Sequence, residues 1–260
     1  MADWNSGQYL KFKNERTQPA IDLAGRLALA APKKILDIGC GPGNSSQVLA
    51  RAFPQAHVLG IDSSADMIES AKGNYPGIDF MLCDAGAELS RLDRDFDIVF
   101  SNACIQWIPN HRELLRNMLA RVSPGGVIAI QTPMTHKAPI HQIIRELSAE
   151  ERWKPDLAGV RAFHNLTQEE YFDLLSEIAA EFSMWETVYF HVLQSLEDII
   201  EWYRGTGLRP YLDALSEEKK KQFEAAILER LARQYRAQKN GEIIFRFARL
   251  FFIARSANRQ

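Results

Sequence analysis

The stretch of the chain most suited to chemistry is Asp37-Ile-Gly-Cys-Gly-Pro-Gly43, an acid followed by glycines at alternate positions and then by a helical pattern. Glycines between a strand and a helix let the backbone approach a ligand and turn N–H groups and a helix N-terminus toward it. A pyrophosphate is a poor match for this turn. The Asp37 carboxylate would repel it, Pro42 removes one donor N–H, and Asn44 stands where the dinucleotide fingerprint has its third glycine. An ammonium group suits Asp37 better. Further candidates recur at strand ends. Asp62 follows the second strand and can accept from both hydroxyls of a ribose. Asp84, within Cys83-Asp84-Ala85 after the third strand, can accept from an adenine amino group, and Asn102 ends the fourth. Ser63, Met67, Ala85 and Gln106 accompany them, with Met67 equally suited to an adenine edge and to the core. Together Asp37, Gly39, Gly41, Gly43 and these residues describe a nucleoside ligand with a zwitterionic tail and no phosphate.

Residues at strand ends meet only if the strands lie side by side. From Lys34 to Thr132, runs rich in Val, Ile, Leu and Phe alternate with amphipathic segments. Strands are expected at Lys34–Ile38, His57–Ile61, Asp79–Leu82, Phe96–Ser101 and Val127–Gln131, without clean alternation because both faces would be covered. Helices are expected at Ser45–Phe53, Ala65–Gly73 and His111–Val122, the last with Asn110 and Glu113 as a capping pair. Repeated strand–helix units imply parallel pairing with right-handed crossovers. Beyond Thr132, helices at about Pro139–Glu151, Gln168–Ala180 and Glu197–Gln238 flank two more strands, Glu186–Leu193 and Ile243–Ala254. Thr167 and Glu170 have capping-box spacing. The expected class is α/β: a doubly wound, mostly parallel seven-stranded, Rossmann-like sheet with an inserted helical lid. Residues 1–260 read as a single domain, with 1–30 covering the cofactor and about 134–182 and 195–240 forming the cap.

Bulk properties narrow the partners. With 260 residues, 46% hydrophobic and 25% charged, the chain has an ordinary globular composition. A net charge of −2 gives no general attraction to nucleic acid or an anionic membrane. Cys40, Cys83 and Cys104 are widely spaced and read as reduced thiols. The N-terminus lacks a signal-peptide pattern and the apolar runs are too short to span a bilayer, so a cytoplasmic protein is expected. His57, His111, His136, His141, His164 and His191 show no ligand spacing, and no metal is expected. His136 and His141 read as surface or capping residues.

The acid, the glycine turn and the successive strand-end residues resemble the class I S-adenosylmethionine-dependent methyltransferases, whose cofactor leaves as S-adenosylhomocysteine. Methyl transfer from a sulfonium is an in-line displacement, so such an enzyme mainly aligns the partners and excludes water. A carboxylate acceptor is ionised at pH 7 and needs no general base, so no catalytic side chain is expected. An amine or hydroxyl acceptor would need one. Ser101-Asn-Ala-Cys104 is unlike an Asn-Pro-Pro-Tyr run, which argues against nucleic-acid amines as acceptors.

Segments outside the glycine turn resemble one family over almost the full chain, the trans-aconitate methyltransferases. They are Asp3-Trp-Asn5 with Tyr9-Leu-Lys-Phe12 and Glu15-Arg-Thr17, Ser101-Asn-Ala-Cys-Ile-Gln-Trp-Ile-Pro-Asn110, and Trp185-Glu-Thr187 with Tyr189, His191 and Leu193. Glu201-Trp-Tyr-Arg-Gly-Thr-Gly-Leu-Arg-Pro-Tyr-Leu212 and Phe247-Ala-Arg-Leu-Phe251 complete the set. Arg246 and Ala248 stand where that family carries prolines. The resemblance implies the ester of a small tricarboxylic acid. Bidentate arginine suits the carboxylates that do not react. Arg204 and Arg209, flanking Gly205-Thr-Gly207 beside Tyr203 and Tyr211, are then expected to hold the substrate; read without the resemblance they are helix-end or surface charges. Arg249, within an apolar strand, serves either ion pairing or the substrate. Trp107 and Ile108 form either an apolar wall near the methyl or core. Tyr9 and Arg16 fold over the cofactor, or Arg16 merely starts the first helix. Two other readings are open: methylation of another carboxylic acid, such as a fatty or isoprenoid acid or a carrier-bound malonyl group, and binding of S-adenosylmethionine without turnover.

Overall fold

A computed structural model describes residues 13–160 and 163–256. Its strands are β1 (Lys34–Ile38), β2 (His57–Asp62), β3 (Asp79–Leu82), β4 (Phe96–Asn102), β5 (Val122–Pro133), β6 (Glu181–Leu193) and β7 (Ile243–Arg255). Its helices are α1 (Lys13–Ala24), α2 (Asn44–Ala52), α3 (Ala65–Asn74), α4 (His111–Leu119), α5 (Pro139–Ala149), α6 (Lys154–Leu157), α7 (Gln168–Ile178), α8 (Leu196–Arg204), α9 (Arg209–Asp213) and α10 (Glu217–Gln234). The strands form one seven-stranded sheet in the order β3-β2-β1-β4-β5-β7-β6. From β3 to β5 the pairing is parallel, with Ile35 opposite both Val58 and Ile98, and Ile98 opposite Val127. Strand order reverses between β1 and β4, the position where open α/β sheets receive ligands. Ile35, Leu36, Ile98, Val99, Phe100, Ile128 and Ile130 are all fully buried. Burial on both faces explains why these strands read as unbroken apolar runs.

Several boundaries differ from the sequence reading. The helix expected to reach Val122 ends at Leu119, because Val122 already pairs with Phe96 and opens β5. Asn110 is no capping partner of the backbone. It lies at φ 55° and donates its side-chain amide to the Glu113 carboxylate at 2.7 Å. Thr167 and Glu170 do form a complete capping box, at 2.9 and 3.2 Å. The long helical stretch expected over 197–238 is three helices. It breaks after Arg204 and again before Ser216, whose hydroxyl accepts the Lys219 N–H at 3.4 Å to start α10.

The chain divides into two compact units. The first comprises the described parts of Met1–Pro133, Phe163–Thr187 and Leu250–Gln260; the second comprises those of Met134–Ala162 and Val188–Arg249. α7, expected in the cap, groups with the first unit, and Tyr171, Leu174 and Leu175 form its buried face. The second unit has its own core. Ile140, Ile143, Ile144 and Leu147 of α5 are buried, as are Ile199, Ile200 and Trp202 of α8 and Phe223, Ile227 and Leu231 of α10. Trp153 meets Phe223 edge-on at 5.0 Å, and Arg230 of α10 pairs with Glu150 at the end of α5. Among the described residues, no helix is long and apolar enough to cross a membrane.

Candidate functional site

The glycine turn is assembled from the bottom of the first unit's core upward. Asp37, one residue from the end of β1, pairs with Gly60 of β2 and Phe100 of β4 and is wholly buried. Its Oδ2 accepts from Ser45 at 2.6 Å and Ser46 at 2.7 Å, hydroxyls of the first turn of α2. Its Oδ1 is buried without a partner among the described residues. Burial pushes the carboxyl up to about 6 against the pull of the two serines, and the nearby Asp62 adds to the rise. Gly39 lies at φ 71°, its N–H donates to Ile61 at 2.8 Å, and a Cβ there would fall 2.2 Å from Cys104 Sγ. Gly43, at φ 93°, backs onto the Tyr75 ring with only 2.6 Å for a Cβ. Gly41 differs: a Cβ there would meet no protein atom within 4 Å. One glycine fits against Cys104, one against Tyr75, and the middle one presents its backbone on an open side.

Asp62 braces this turn. Its Oδ2 accepts the Gly41 N–H at 3.0 Å and its Oδ1 the Ser64 N–H at 2.9 Å. Asp84 closes a local turn through the Gly86 N–H at 2.8 Å. Asn102 is buried; its amide donates to the Arg16 carbonyl at 3.5 Å and its Oδ1 is without a partner among the described residues. Gln106 is buried too, donating to the Ala103 carbonyl at 2.7 Å and accepting from Thr132 at 3.4 Å. Ser63 is exposed, Ala85 is buried, and Met67 belongs to the buried face of α3. Trp107 meets Phe163 edge-on at 4.7 Å. Arg16 stands buried in the first turn of α1, where it lines a small cleft with Thr17, Gly39, Cys40, Pro42, Asn44, Ser45 and Asn102. Tyr9 lies outside the described residues.

The cations expected to hold the substrate are differently placed. Arg204 is held by two carboxylates: Nε and Nη2 donate to Glu224 at 2.7 and 2.8 Å, and Nη1 donates to Glu201 at 2.7 Å. These three hydrogen bonds tie Arg204 to α8 and α10 of its own unit and leave one N–H on each terminal nitrogen. Arg209 pairs with Asp213 at 3.5 Å, one turn further along α9. Tyr211 stacks on Phe223 at 6.4 Å, and burial raises its pKa. Tyr203 is buried, with His141 at 5.4 Å between ring centroids. Arg249 is buried over the ring of Phe247, 4.6 Å from its centroid. His141, read as a surface or capping residue, is instead pressed on Tyr203, and burial pushes its pKa down to about 4, with His136 and Arg145 adding to the fall. The sequence reading did not find the two serines on Asp37, although Ser45-Ser46 directly after the glycines was a visible signal. The surroundings of His141 had no local signal.

A sheet ordered 3-2-1-4-5-7-6, with an acid-and-glycine turn after its first strand and a bracing acid after its second, defines a class I S-adenosylmethionine-dependent methyltransferase. The family described as a methyltransferase domain matches residues 30–198. The fold is shared with the YcgJ protein of Bacillus subtilis, at TM-score 0.59 and 15% identity over 93% of this chain and 100% of that one. It is shared too with phosphoethanolamine N-methyltransferase 2 of Haemonchus contortus, solved with S-adenosylhomocysteine, at TM-score 0.55 and 16% identity over 93% of this chain and 53% of that one. The trans-aconitate 2-methyltransferase of Rhodopseudomonas palustris strain BisB18 is 41% identical over 98% of this chain and 99% of its own length. The chain belongs to the trans-aconitate 2-methyltransferase family.

Proposed function

We propose that this protein is an S-adenosylmethionine-dependent O-methyltransferase that forms the monomethyl ester of trans-aconitate or a closely related tricarboxylic acid. The observation that carries this reading is the 41% identity to a trans-aconitate 2-methyltransferase, which extends over 98% of the chain instead of stopping with the methyltransferase domain. The residues of the glycine turn fit the cofactor. Asp37 Oδ1 and Asn102 Oδ1 are buried acceptors in want of a donor, as an ammonium group supplies. Arg16, lining the same cleft, offers a cation to the cofactor's carboxylate. Asp62, at the end of β2 and tied to the turn through the Gly41 N–H, is an acceptor of the kind ribose hydroxyls need, and Gly41 lets the backbone come close.

When bound, the cofactor supplies an electrophilic methyl group on a sulfonium. The protein's own task is alignment and exclusion of water. Asp37 and Asp62 fix the turn through Ser45, Ser46 and the Gly41 N–H, so the binding groups are held before the ligand arrives. The acceptor carboxylate is already ionised at neutral pH, so the chain has no proton to remove from it. The three cysteines are free thiols, in keeping with a cytoplasmic enzyme.

Mass spectrometry of purified protein with S-adenosylmethionine and a panel of di- and tricarboxylic, fatty and isoprenoid acids tests the reading. The expected product is trans-aconitate monomethyl ester, accompanied by one S-adenosylhomocysteine per ester. Esterification of the apolar acids alone, or tight cofactor binding without any ester, would overturn it.

A further inference from the structure

Asn44, which opens α2 directly after the glycine turn, has one end of its side chain that the fold does not use. The residue is 8% exposed, and its Oδ1 accepts from the Tyr75 hydroxyl at 3.1 Å. Its Nδ2 is buried without a hydrogen-bond partner among the described residues. Helix capping does not account for the amide, because Gly43 occupies the N-cap of α2 at φ 93°. Close packing does not account for it either: the dinucleotide fingerprint has a glycine here to bring helix and strand together. Tyr75 holds the amide in place. Its ring backs Gly43, where a Cβ would come within 2.6 Å, and packs on the buried cluster of Cys40, Ile68, Ala71 and Phe80. The neighbouring Asn74 amide donates to the Pro42 carbonyl at 3.5 Å and ties the end of α3 to the same turn.

The unpartnered atoms around the turn are of two kinds. Asp37 Oδ1 and Asn102 Oδ1 are acceptors and suit an ammonium, whereas Asn44 Nδ2 is a donor and suits an anion. The surroundings of Asn44 favour negative charge. It lines the small cleft that Arg16, Ser45 and Asn102 also line, so a guanidinium faces the same space. It stands at the N-terminus of α2, where the helix dipole and the first N–H groups attract an anion. The amino-acid end of the cofactor carries one ammonium and one carboxylate, which matches the two kinds of atom. A buried amide donor left without an acceptor costs stability, so a residue serving the fold alone would be better apolar here.

We propose that Asn44 is a cofactor-binding residue whose amide donates to the carboxylate of S-adenosylmethionine, and that Tyr75 is the positioning residue that holds the amide for it. Calorimetry with two ligands tests this: S-adenosylhomocysteine, and its decarboxylated analogue, which keeps the ammonium and lacks the carboxylate. Asn44→Leu, similar in volume but without a donor, is expected to weaken S-adenosylhomocysteine roughly 5- to 20-fold and to leave the analogue within twofold of wild type. Asn44→Asp puts an acceptor where a donor stood and is expected to weaken S-adenosylhomocysteine further, again without weakening the analogue. Tyr75→Phe keeps the ring against Gly43 and removes only the hydroxyl, so about a 2- to 5-fold loss confined to the carboxylate-bearing ligand is expected. This last variant decides the matter if the Asn44 variants do not fold. Unchanged affinity for S-adenosylhomocysteine in the folded variants, or equal weakening of both ligands, would overturn the assignment.

Discussion

At the scale of single residues, Asp37 shows how the turn couples proton binding to ligand binding. Its folded pKa of about 6 lies above the ordinary carboxylate value of 3.8, chiefly because the group is buried. A raised carboxyl pKa means that the folded state holds the proton more tightly than the unfolded chain, so stability declines as pH rises from about 4 to 6 and is level above. Binding an ammonium favours the ionised form, so the sign for the cofactor is opposite. S-adenosylhomocysteine should bind more weakly as pH falls through about 6. Asp37→Asn should flatten that dependence and weaken binding by about 1.5–3 kcal/mol, as loss of a charge-assisted hydrogen bond does. Calorimetry between pH 5 and 8 checks both. The glycines make a second pair of tests. Gly39→Ala sets a Cβ against Cys104 at positive φ and should destabilise by about 2–4 kcal/mol. Gly41→Ala meets no protein atom, so its stability loss should be only about 1–2 kcal/mol while cofactor affinity falls. Equal effects of the two on unfolding and on binding would show that the turn is structural only.

At the scale of elements, the α8–α9 junction interrupts a stretch that reads as one helix over 197–238. Arg204 ends α8 with Glu201 three residues back and Glu224 on α10, so it fastens helices together. Arg204→Ala should lower stability by about 1 kcal/mol, since the pair is half-exposed, and leave the KM for the acid within twofold. Thermal unfolding and steady-state kinetics separate the outcomes; a large rise in KM would assign Arg204 to the substrate. Glu201 was visible in the sequence at helical spacing, but Glu224 lies on another helix and no local pattern announces it. The strands β1 to β4 were legible nearly to the residue, because burial leaves apolar runs such as Phe96-Asp-Ile-Val-Phe100, whereas the half-exposed β6 begins five residues before the expected Glu186, at Glu181. β5 begins five residues earlier than expected, at Val122 rather than Val127, because Ser123-Pro-Gly-Gly126 reads as a turn yet continues the strand. Asp37, Asp62 and Asn102 were legible because strand ends in a parallel sheet converge. The surroundings of His141 were not, since its neighbour Tyr203 lies far along the chain.

At the scale of the whole molecule, the first unit carries the glycine turn with Asp37 and Asp62, and the second carries Arg204 and Arg209. The identity to a trans-aconitate 2-methyltransferase covers 98% of the chain and so takes in both. Ligand binding to the folded state raises the unfolding temperature by mass action: S-adenosylhomocysteine at a hundred times its Kd should stabilise by about 2.7 kcal/mol. For a chain of this size that is a rise of roughly 5–10 °C, and NAD should give none, because the turn has an acid where a pyrophosphate would lie. The most direct test of the account follows the methyl group itself. With S-adenosylmethionine carrying a deuterated methyl, the label should appear on an ester oxygen of trans-aconitate, and alkaline hydrolysis should return the unlabelled acid. Label that stays on the cofactor, or passes to nitrogen, carbon or an apolar acid in preference to trans-aconitate, would contradict it.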